Sequence, residues 1–535
     1  MLGIDQNCNP LWDTIPKLHA AALHGPIAQT IEDIDVAFTE IGAGVNTPDL
    51  HLVRERYHRG GHSDWGAALF YSEFLGRVPL DAARLGDLAG MKTRTLARKL
   101  NTSIDDLYRR YAVSDNWQLI GSSFVGDRNH HRTIGDLTVR EVEPFLRELM
   151  FKARADMDAR FPETEPRKRI AAWFAAEESR LDDLIDRHRD GRLVDLYRDW
   201  MRAHLGESVT LSLTSDLFAC RCDNPMLSMV DTFIRHYDRA AACYNRAVRE
   251  TRLGLAPLNT DAGELPFFAA FEHQGHRVRS GMRLAGDRLA IADREIPLTG
   301  DRRCPTEALC NAGVTSMAGK AIVLVVQVRT QQGGQPLVLP YHGSLYTPAA
   351  DRFVESMMEE GLLDGPLHPI RRVRFRLLDR MKDLDTRIRL PEHLARAFGD
   401  DELPASELSR RYPEVMRQAR SRLEALGDEH RHDATVASLF PDLTKRIDEL
   451  RAHQRKRYEE GAAFEETNRI WREVKAIRRR RLSALIEQAA LDTQVAEMDT
   501  WDSRGAVLPW SIALGGEPFY RHVIERAELY DEAGR

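Results

Sequence analysis

The stretch from Leu265 to Phe353 decides the fold, because strand patterning replaces helical patterning there. It opens with LPFFAAFEHQGHRVRSGMRLAGDRLAI (265–291) and continues with AGKAIVLVVQVR (318–329) and LVLPYHGSLYTPAADRF (337–353). Charged, helix-forming sequence surrounds it on both sides. A strand-rich segment in such a setting is where an α/β protein usually holds its site.

Turn residues divide this segment into predicted strands. Gln274-Gly275 is expected at a hairpin tip, and Ala285-Gly286-Asp287 at a second turn, because the residues around both alternate with period two. The apolar run Ala321–Val328 predicts a buried strand. Tyr341, His342, Ser344 and Tyr346 follow the last apolar strand, so we predict that they line a substrate pocket at the sheet edge.

The composition describes a soluble chain of several domains. Its 535 residues exceed one ordinary core, so about two to four domains are expected. The net charge of −6 excludes a globally basic nucleic-acid binder. The N-terminus lacks a basic segment followed by an apolar one, so we expect a cytoplasmic protein with reduced thiols and no membrane partner.

The patterns along the chain predict an α/β fold, predominantly helical, with a Rossmann-like central sheet, an inserted subdomain and a long-helix, coiled-coil-like arm. The sheet is expected to draw on residues 117–137, 209–219 and 265–341. Helices are expected at Ile27–Ile41 and, as one periodic helix, at Met226–Arg252. The predicted regions are a helical N-terminal region (1–115), an α/β core (116–355) with a β-rich island (265–353), a helical connection (356–440), a long helical arm (441–500) and a segment returning to the core (501–535).

The arm, from Leu443 to about Met498, is the longest helical candidate. Polar residues interrupt its apolar seam, which argues against an uninterrupted two-stranded zipper. A long helix or a helical hairpin packed on Glu407–Glu429 fits better, with Gly461 as a soft point. Its expected role is structural, or to join two copies of the chain in a homodimer.

Two motifs resemble phosphate-binding sequences, and their context argues against both. His273-Gln-Gly-His276 should open a helix to bind phosphate, whereas its surroundings predict a hairpin. In the stretch Gly313–Ala321, the spacing is one residue too long, Ala321 replaces the hydroxyl residue, and the predicted strand follows the motif instead of preceding it.

The cysteines do not form a repeated knuckle motif. Cys220, Cys222, Cys243, Cys304 and Cys310 have thiols of the type that zinc binds, but their spacings do not repeat. We therefore predict small buried side chains and no metal site.

Two loops rich in histidine and aspartate are the best chemical candidates. In the second loop, we predict that Asp127, His130 and His131 do acid–base work, and that Arg128 and Arg132 bind an anionic group. The first loop supplies the secondary candidates His58, His62 and Asp64, where glycines let the backbone approach an anion. The alternative for either loop is a polar surface turn.

Nucleic-acid binding is weighed as a further alternative. Residues 92–111 resemble a helix-turn-helix, and Arg451–Arg457 and Arg478–Arg481 are basic clusters on the arm. Asp105 and Asp106 stand where the predicted recognition helix would meet the DNA backbone, and acids interrupt the arm's clusters. Both features argue against nucleic acid as a partner.

The β-rich island resembles the bacillithiol-pathway cysteine-adding ligase family in the order of its parts. The corresponding segments are Phe267–Ile291, Pro305–Met317, Ala321–Val328 and Gly343-Ser344-Leu345-Tyr346. The family's Gly-Gln-Gln-x-Gly segment and Glu-Asp-His-Asp cluster have no faithful counterpart here. The resemblance implies a Rossmann-like core with an inserted subdomain and a helical arm, and it transfers no catalytic residue.

These observations predict an enzyme related to ligases or transferases, acting on a small amine- or thiol-containing metabolite. The sequence identifies no cofactor. A non-catalytic dimeric scaffold that uses the arm is the first alternative, and a nucleic-acid-associated protein that uses residues 92–111 is the second.

Overall fold

The computed structural model describes residues 1–4, 11–35, 74–76, 82–104, 106–107, 131–253, 255–342, 344, 346–499 and 506–532. The fold is mixed α/β and 59% helical, as the patterns along the chain predict. None of the described helices is long and apolar enough to cross a membrane. The described strands are β1 Leu2–Ile4, β2 Ile27–Ile31, β3 His131–Arg132, β4 Val209–Leu213, β5 Glu264–His273, β6 His276–Ala285, β7 Arg288–Ile291, β8 Arg294–Pro297, β9 Val314–Gly319, β10 Leu337–Pro340, β11 Ile370–Arg374, β12 Arg387–Arg389, β13 Glu402–Pro404 and β14 Glu528–Asp531.

Helices connect these strands and form the arm. In the described residues they are α1 Leu11–Ala22, α2 Ala82–Leu88, α3 Thr93–Leu100, α4 Val139–Arg160, α5 Thr164–His188, α6 Leu193–Leu205, α7 Thr214–Leu217, α8 Ser228–Arg235, α9 Tyr237–Thr251, α10 Thr306–Asn311, α11 Ala321–Gln327, α12 Thr347–Glu359, α13 Leu377–Arg380, α14 Glu392–Phe398, α15 Ala405–Gly427, α16 His432–Leu439, α17 Pro441–Glu459, α18 Phe464–Ala496 and α19 Val507–Glu525.

A six-stranded sheet in the order β14-β11-β10-β1-β2-β4 organises the fold. The five strands from β11 to β4 are parallel, and β14 runs antiparallel at one edge. The chain moves outward from β1 through β2 to β4, then returns to the other side of β1 and moves outward through β10 and β11. Strand order therefore reverses at β1, where Leu2 lies between Ala28 and Leu337.

Apolar side chains cover both faces of this sheet. Alternate residues of the strands face opposite sides, so Leu337 and Leu339 enter one core while Val338 enters the other. Helices α1, α6 and α19 contribute to the core that contains Val338, and α11 and α12 to the core that contains Leu337. Burial on both faces is expected of a parallel sheet.

A second, antiparallel sheet has the order β8-β7-β6-β5-β9, and β3 also pairs with β6. Its central hairpin turns at Gln274-Gly275, with φ of 51° and 82°, as the sequence predicts. The second predicted turn is also confirmed, because β6 ends at Ala285 and β7 begins at Arg288. The expected single sheet is therefore wrong: 209–213 and 337–340 join the parallel sheet, whereas residues 264–319 build a separate one.

Three local predictions are wrong for physical reasons. Ile27–Ile31 is a buried strand where a helix is expected, and its β-branched ends suit a strand. Ala321–Gln327 is a helix, and Ile322, Val323 and Val326 in it are fully buried, so its apolar run has no polar face that could reveal the helical period. The predicted helix Met226–Arg252 is broken at His236, whose backbone (φ −125°, ψ 39°) is not helical.

The predicted arm is a helical hairpin. Helices α17 and α18 run antiparallel and are joined by residues 460–463, where Gly461 has a φ of 73°. They bury a small core of Ile447, Leu450, Ile470 and Val474. Helix α18 packs on α15, as the hairpin alternative expects, whereas a coiled-coil geometry stays a prediction.

Candidate functional site

The carboxyl ends of five parallel strands lie along one edge of the central sheet, and polar side chains gather there. Tyr341 and His342 directly follow β10, Arg374 ends β11, Asp33 follows β2, and Ser215 follows β4. These residues form two clusters, one beside β10 and β11 and the other beside β2 and β4. Only β1 separates β10 from β2, so the clusters are about 10 Å apart at the usual strand spacing.

The first cluster is centred on Tyr341. The guanidinium of Arg374 lies 4.2 Å from the centre of the Tyr341 ring, and the His342 ring lies 4.5 Å from the same ring. The ring of Tyr530, from β14, is 5.9 Å away on the other side. Burial and the neighbouring Tyr341 phenol raise the pKa of Tyr530 to about 12. The Tyr530 phenol is therefore neutral at physiological pH and able to donate a hydrogen bond.

Arg374 differs from the other arginines of its strand in its partners. Three neighbours pair with carboxylates of the C-terminal strand: Arg371 with Asp531 (2.9 Å), Arg372 with Glu532 (2.8 Å) and Arg376 with Glu528 (2.8 Å). Arg374 makes no ion pair with a carboxylate of the described residues, and its buried Nε has no hydrogen-bond partner among them. Its charge is thus left to interact with an aromatic ring and with any anion that binds there.

The second cluster is centred on Asp33, which is fully buried. Its carboxylate accepts hydrogen bonds from the Ser215 backbone N–H (2.8 Å) and hydroxyl (2.5 Å), and from Arg277 of β6 (3.2 Å). Burial raises the pKa of Asp33 even though these hydrogen bonds act to lower it. The Asp33 carboxyl therefore joins the edge of the parallel sheet to the antiparallel sheet.

The neighbouring Glu32 is a second buried carboxyl at this edge. It is 5% exposed, and one of its oxygens accepts from the backbone N–H groups of Ile34 and Asp35, both at 2.8 Å. Burial, with the negative charges of Asp35 and Asp33, raises the pKa of Glu32 well above its ordinary value. A carboxyl with a raised pKa is a candidate proton donor or acceptor.

The four predicted pocket residues lie together, in the connection from β10 to α12. Tyr341 and His342 follow the strand, Ser344 has a φ of 54°, and Tyr346 precedes the first residue of the helix. Their role in binding a substrate stays a prediction.

Arg132 makes contacts of a different kind from those predicted. Its guanidinium pairs with Asp136 and, at 2.6 and 2.8 Å, with both oxygens of Glu141, and the residue is 8% exposed. Glu141 also accepts from the backbone N–H of Thr138 and so completes the capping box that starts α4. This arrangement favours a structural role, because an anionic ligand would have to displace a carboxylate.

The other predicted residues of the histidine and aspartate loops are described only in part. His131 belongs to β3, whose neighbour Gly135 donates to the backbone oxygen of Asp33 (2.8 Å). This segment is therefore attached to the same sheet edge as the second cluster. His58, His62, Asp64, Asp127, Arg128 and His130 lie outside the described residues.

The two phosphate-like motifs take up conformations unlike those of phosphate-binding loops. His273 and His276 flank the β5–β6 turn, and His276 contacts Asp136 at 2.9 Å. In the other motif Val314–Gly319 is itself strand β9, so no loop is left to surround a phosphate, and Lys320 pairs with Glu264 at 2.5 Å. The prediction that a strand follows this motif is wrong, because Ala321–Gln327 is a helix.

The thiols of Cys220 and Cys310 lie close together in the described structure. The Cys310 thiol donates to the backbone oxygen of Cys220 at 2.6 Å, and burial raises the pKa of Cys220 and, to about 12, that of Cys304. Within the described ranges, no three His, Cys, Asp or Glu side chains are arranged to hold a metal ion.

Sequence reasoning did not identify Asp33, Ser215, Arg374 and Tyr530 as site residues. The three arginines of Ile370–Phe375 were a usable signal, because arginine is rarely buried unless it is paired, and this stretch is otherwise apolar. The acidic run Glu32–Asp35 after an apolar strand was a second one. No family model matches the chain, and no curated protein or solved structure is significantly similar to it.

Proposed function

We propose that the chain is an enzyme that transfers a group to a small amine- or thiol-containing metabolite, in the manner of ligases or transferases. The observation that carries this proposal is the reversal of strand order at β1, beside Tyr341 and Arg374. In open α/β sheets, ligands bind outside the carboxyl ends of the strands, at the point where the strand order reverses. We accordingly regard the central sheet as Rossmann-like, with the antiparallel sheet as its inserted subdomain.

The residues at this edge suit such a reaction. Arg374 supplies a positive charge for a phosphate or carboxylate of the substrate, and Tyr341 donates a hydrogen bond beside it. His342 is the acid–base candidate at the end of β10, and Asp33 holds Ser215 in position on the other side of β1. His130, His131 and Asp127 stay candidates for proton transfer from the adjoining loop.

Ligand binding tests the proposal directly. The full chain is screened by thermal shift against nucleotides, thiols and aminosugars, because a ligand that binds the folded state raises the melting temperature. For the ligand that binds, calorimetry then compares Arg374→Gln with Arg371→Gln. Arg371 is the matched control, since it lies on the same strand but pairs with Asp531.

We expect Arg374→Gln to weaken binding by at least about tenfold, because a hydrogen bond to a charged group contributes about 1.5–3 kcal/mol. Arg371→Gln should change affinity less than about twofold. The proposal is refuted if no compound of the three classes raises the melting temperature, or if the two variants weaken binding equally.

We propose a homodimer through the arm as a second candidate function. Tyr458 and Phe464, beside the turn of the hairpin, are both 79% exposed. Large exposed apolar side chains grouped on one element are typical of a contact surface. Light scattering on the full chain checks this: Phe464→Glu should convert a dimer to a monomer, and a monomeric wild-type chain would contradict the candidate.

A further inference from the structure

Helices α3 and α18 bring two separate basic segments of the chain together. The two helices pack against each other, and Arg479 of α18 donates to the backbone oxygen of Lys99 at 3.3 Å. Residues 92–99 and 472–481 together contain ten lysines and arginines and a single acid, Glu473. That glutamate pairs with Arg446 of α17, so its charge is already offset. We call the exposed part of these two segments the α3–α18 surface.

The cations of this surface differ from most others in the protein. Arg94, Arg98, Lys99, Lys475 and Arg478 are exposed, and none of them forms an ion pair with a carboxylate of the described residues. Elsewhere most arginines of the described helices pair with an acid on their own helix or on a neighbour, such as Arg147 with Asp182. The chain as a whole has a net charge of −6, so this surface has the opposite sign to the rest.

An exposed aromatic side chain continues the surface along α18. Trp471 is 50% exposed, and Lys475 lies 5.1 Å from the centre of its ring. Trp471, Lys475 and Arg478 are spaced four and three residues apart, so they share one face of the helix. Cations that can follow a phosphate backbone, next to an aromatic ring on which a base can stack, are the features of single-strand binding surfaces.

We propose that the α3–α18 surface binds single-stranded nucleic acid through its phosphodiester backbone. Arg94, Arg98, Lys99, Lys475 and Arg478 contact phosphates, and Trp471 stacks on a base. The contact is independent of the segment after Ser103, where acids would oppose the phosphates of a duplex. It is also distinct from the edge of the parallel sheet, so a failure of either proposal leaves the other intact.

Fluorescence anisotropy with a labelled single-stranded RNA and the full chain tests this proposal. Each phosphate contact on a single strand contributes about 0.7 to the slope of log affinity against log salt. Five contacts therefore predict about a hundredfold loss of affinity between about 50 and 200 mM salt. Single-stranded DNA of the same sequence should bind similarly, and a duplex more weakly.

The double variant Arg98→Glu with Arg478→Glu should weaken binding at least about tenfold and lower the salt slope by about 1.4. Trp471→Ala should weaken it by about tenfold without changing the slope. Arg249→Glu with Arg283→Glu is the matched control, since both arginines are exposed and lie on α9 and β6. Thermal melting of each variant checks that it is folded.

Three results would overturn the proposal. They are affinity that does not depend on salt, equal affinities of the surface variant and the control, and tighter binding to vesicles of anionic lipid than to RNA. Salt-dependent binding lost in the surface variant and kept in the control supports it.

Discussion

Replacing Glu177 by glutamine should markedly lower the free energy of unfolding of the protein. Glu177 lies in α5 and is 2% exposed. One of its oxygens accepts from the indole N–H of Trp12 (3.3 Å) and of Trp200 (2.9 Å) and contacts Nε2 of His204 at 3.1 Å, while the other pairs with Arg180. Glutamine keeps one acceptor oxygen for the indoles, but it loses the negative charge.

The size of the effect follows from the exposure of each partner. The contact with His204 is almost completely buried, and a hydrogen bond to a charged group there contributes about 2 kcal/mol. Arg180 is 32% exposed, so solvent screens its contribution to about 1 kcal/mol. The free energy of unfolding should therefore fall by about 3 kcal/mol, in the lower range for breaking a buried ion pair.

The effect should depend on pH with a definite sign. Burial acts to raise the pKa of Glu177, but the contacts with His204, Arg180 and Trp200 outweigh it and lower the pKa below its ordinary value of 4.5. A carboxyl with a lowered folded-state pKa contributes stability above its ordinary pKa and loses it as pH falls through the folded-state value. The difference between wild type and Glu177→Gln should therefore be full at about pH 7 and shrink below about pH 4.

Urea unfolding followed by tryptophan fluorescence measures this difference at both pH values. Glu178→Gln is the matched control, because its side chain is 36% exposed and pairs with the similarly exposed Arg154. Such a pair contributes at most about 1 kcal/mol. The reasoning is refuted if the two variants lose the same stability at about pH 7, or if the loss in Glu177→Gln stays constant as the pH falls.

Three further substitutions test other parts of the structure. Gly263→Ala should lower the free energy of unfolding by at least about 2 kcal/mol, since the added Cβ would lie 2.0 Å from the Leu284 backbone oxygen at a residue whose φ is 65°. Gly427→Ala is the control and should be neutral or stabilising in thermal melts, because no atom lies within 4 Å of the position of its Cβ. The pKa of Glu32 is raised, so its contribution to stability is full below the ordinary pKa of 4.5 and is lost as pH rises through the folded-state value. The melting temperature of Glu32→Gln relative to wild type should therefore rise between about pH 5 and pH 8, and an equal difference at the two pH values would contradict this. Ile470→Ala should speed hydrogen exchange in α17 and α18 but not in the parallel sheet, because it removes a side chain from the arm's own small core; uniform acceleration would show that arm and sheet unfold together.

Local signals in the sequence predicted the parts of the fold that local chemistry determines. The turns at Gln274-Gly275 and Gly286 were predicted because few residue pairs adopt that backbone easily. The break near Gly461 was expected for the same reason. The helix Ala321–Gln327 was missed because a short apolar run, buried on all sides, has the same pattern in either structure.

The candidate site was predicted only where it follows a strand in sequence. Tyr341 and His342 stand out in the sequence because they follow an apolar run. Arg374 stands out only in the structure, because its neighbours Arg371 and Arg376 pair with carboxylates of the described residues and Arg374 does not. Those partners lie at the C-terminal end of the chain, more than a hundred residues away. The separation of two residues along the chain does not show whether they are in contact in the fold. A single sequence therefore does not reveal which arginine has no carboxylate partner.

The central position of β1 has a consequence for the order in which the chain folds during its synthesis. Leu2 leaves the ribosome well before its partner Leu337, which is made 335 residues later. Until then, the N-terminal strand can pair with β2 on one side, while its other side presents unpaired backbone groups. Such an open edge can pair with another nascent chain, so a translation product that stops before Leu337 should aggregate where one that continues through β14 does not.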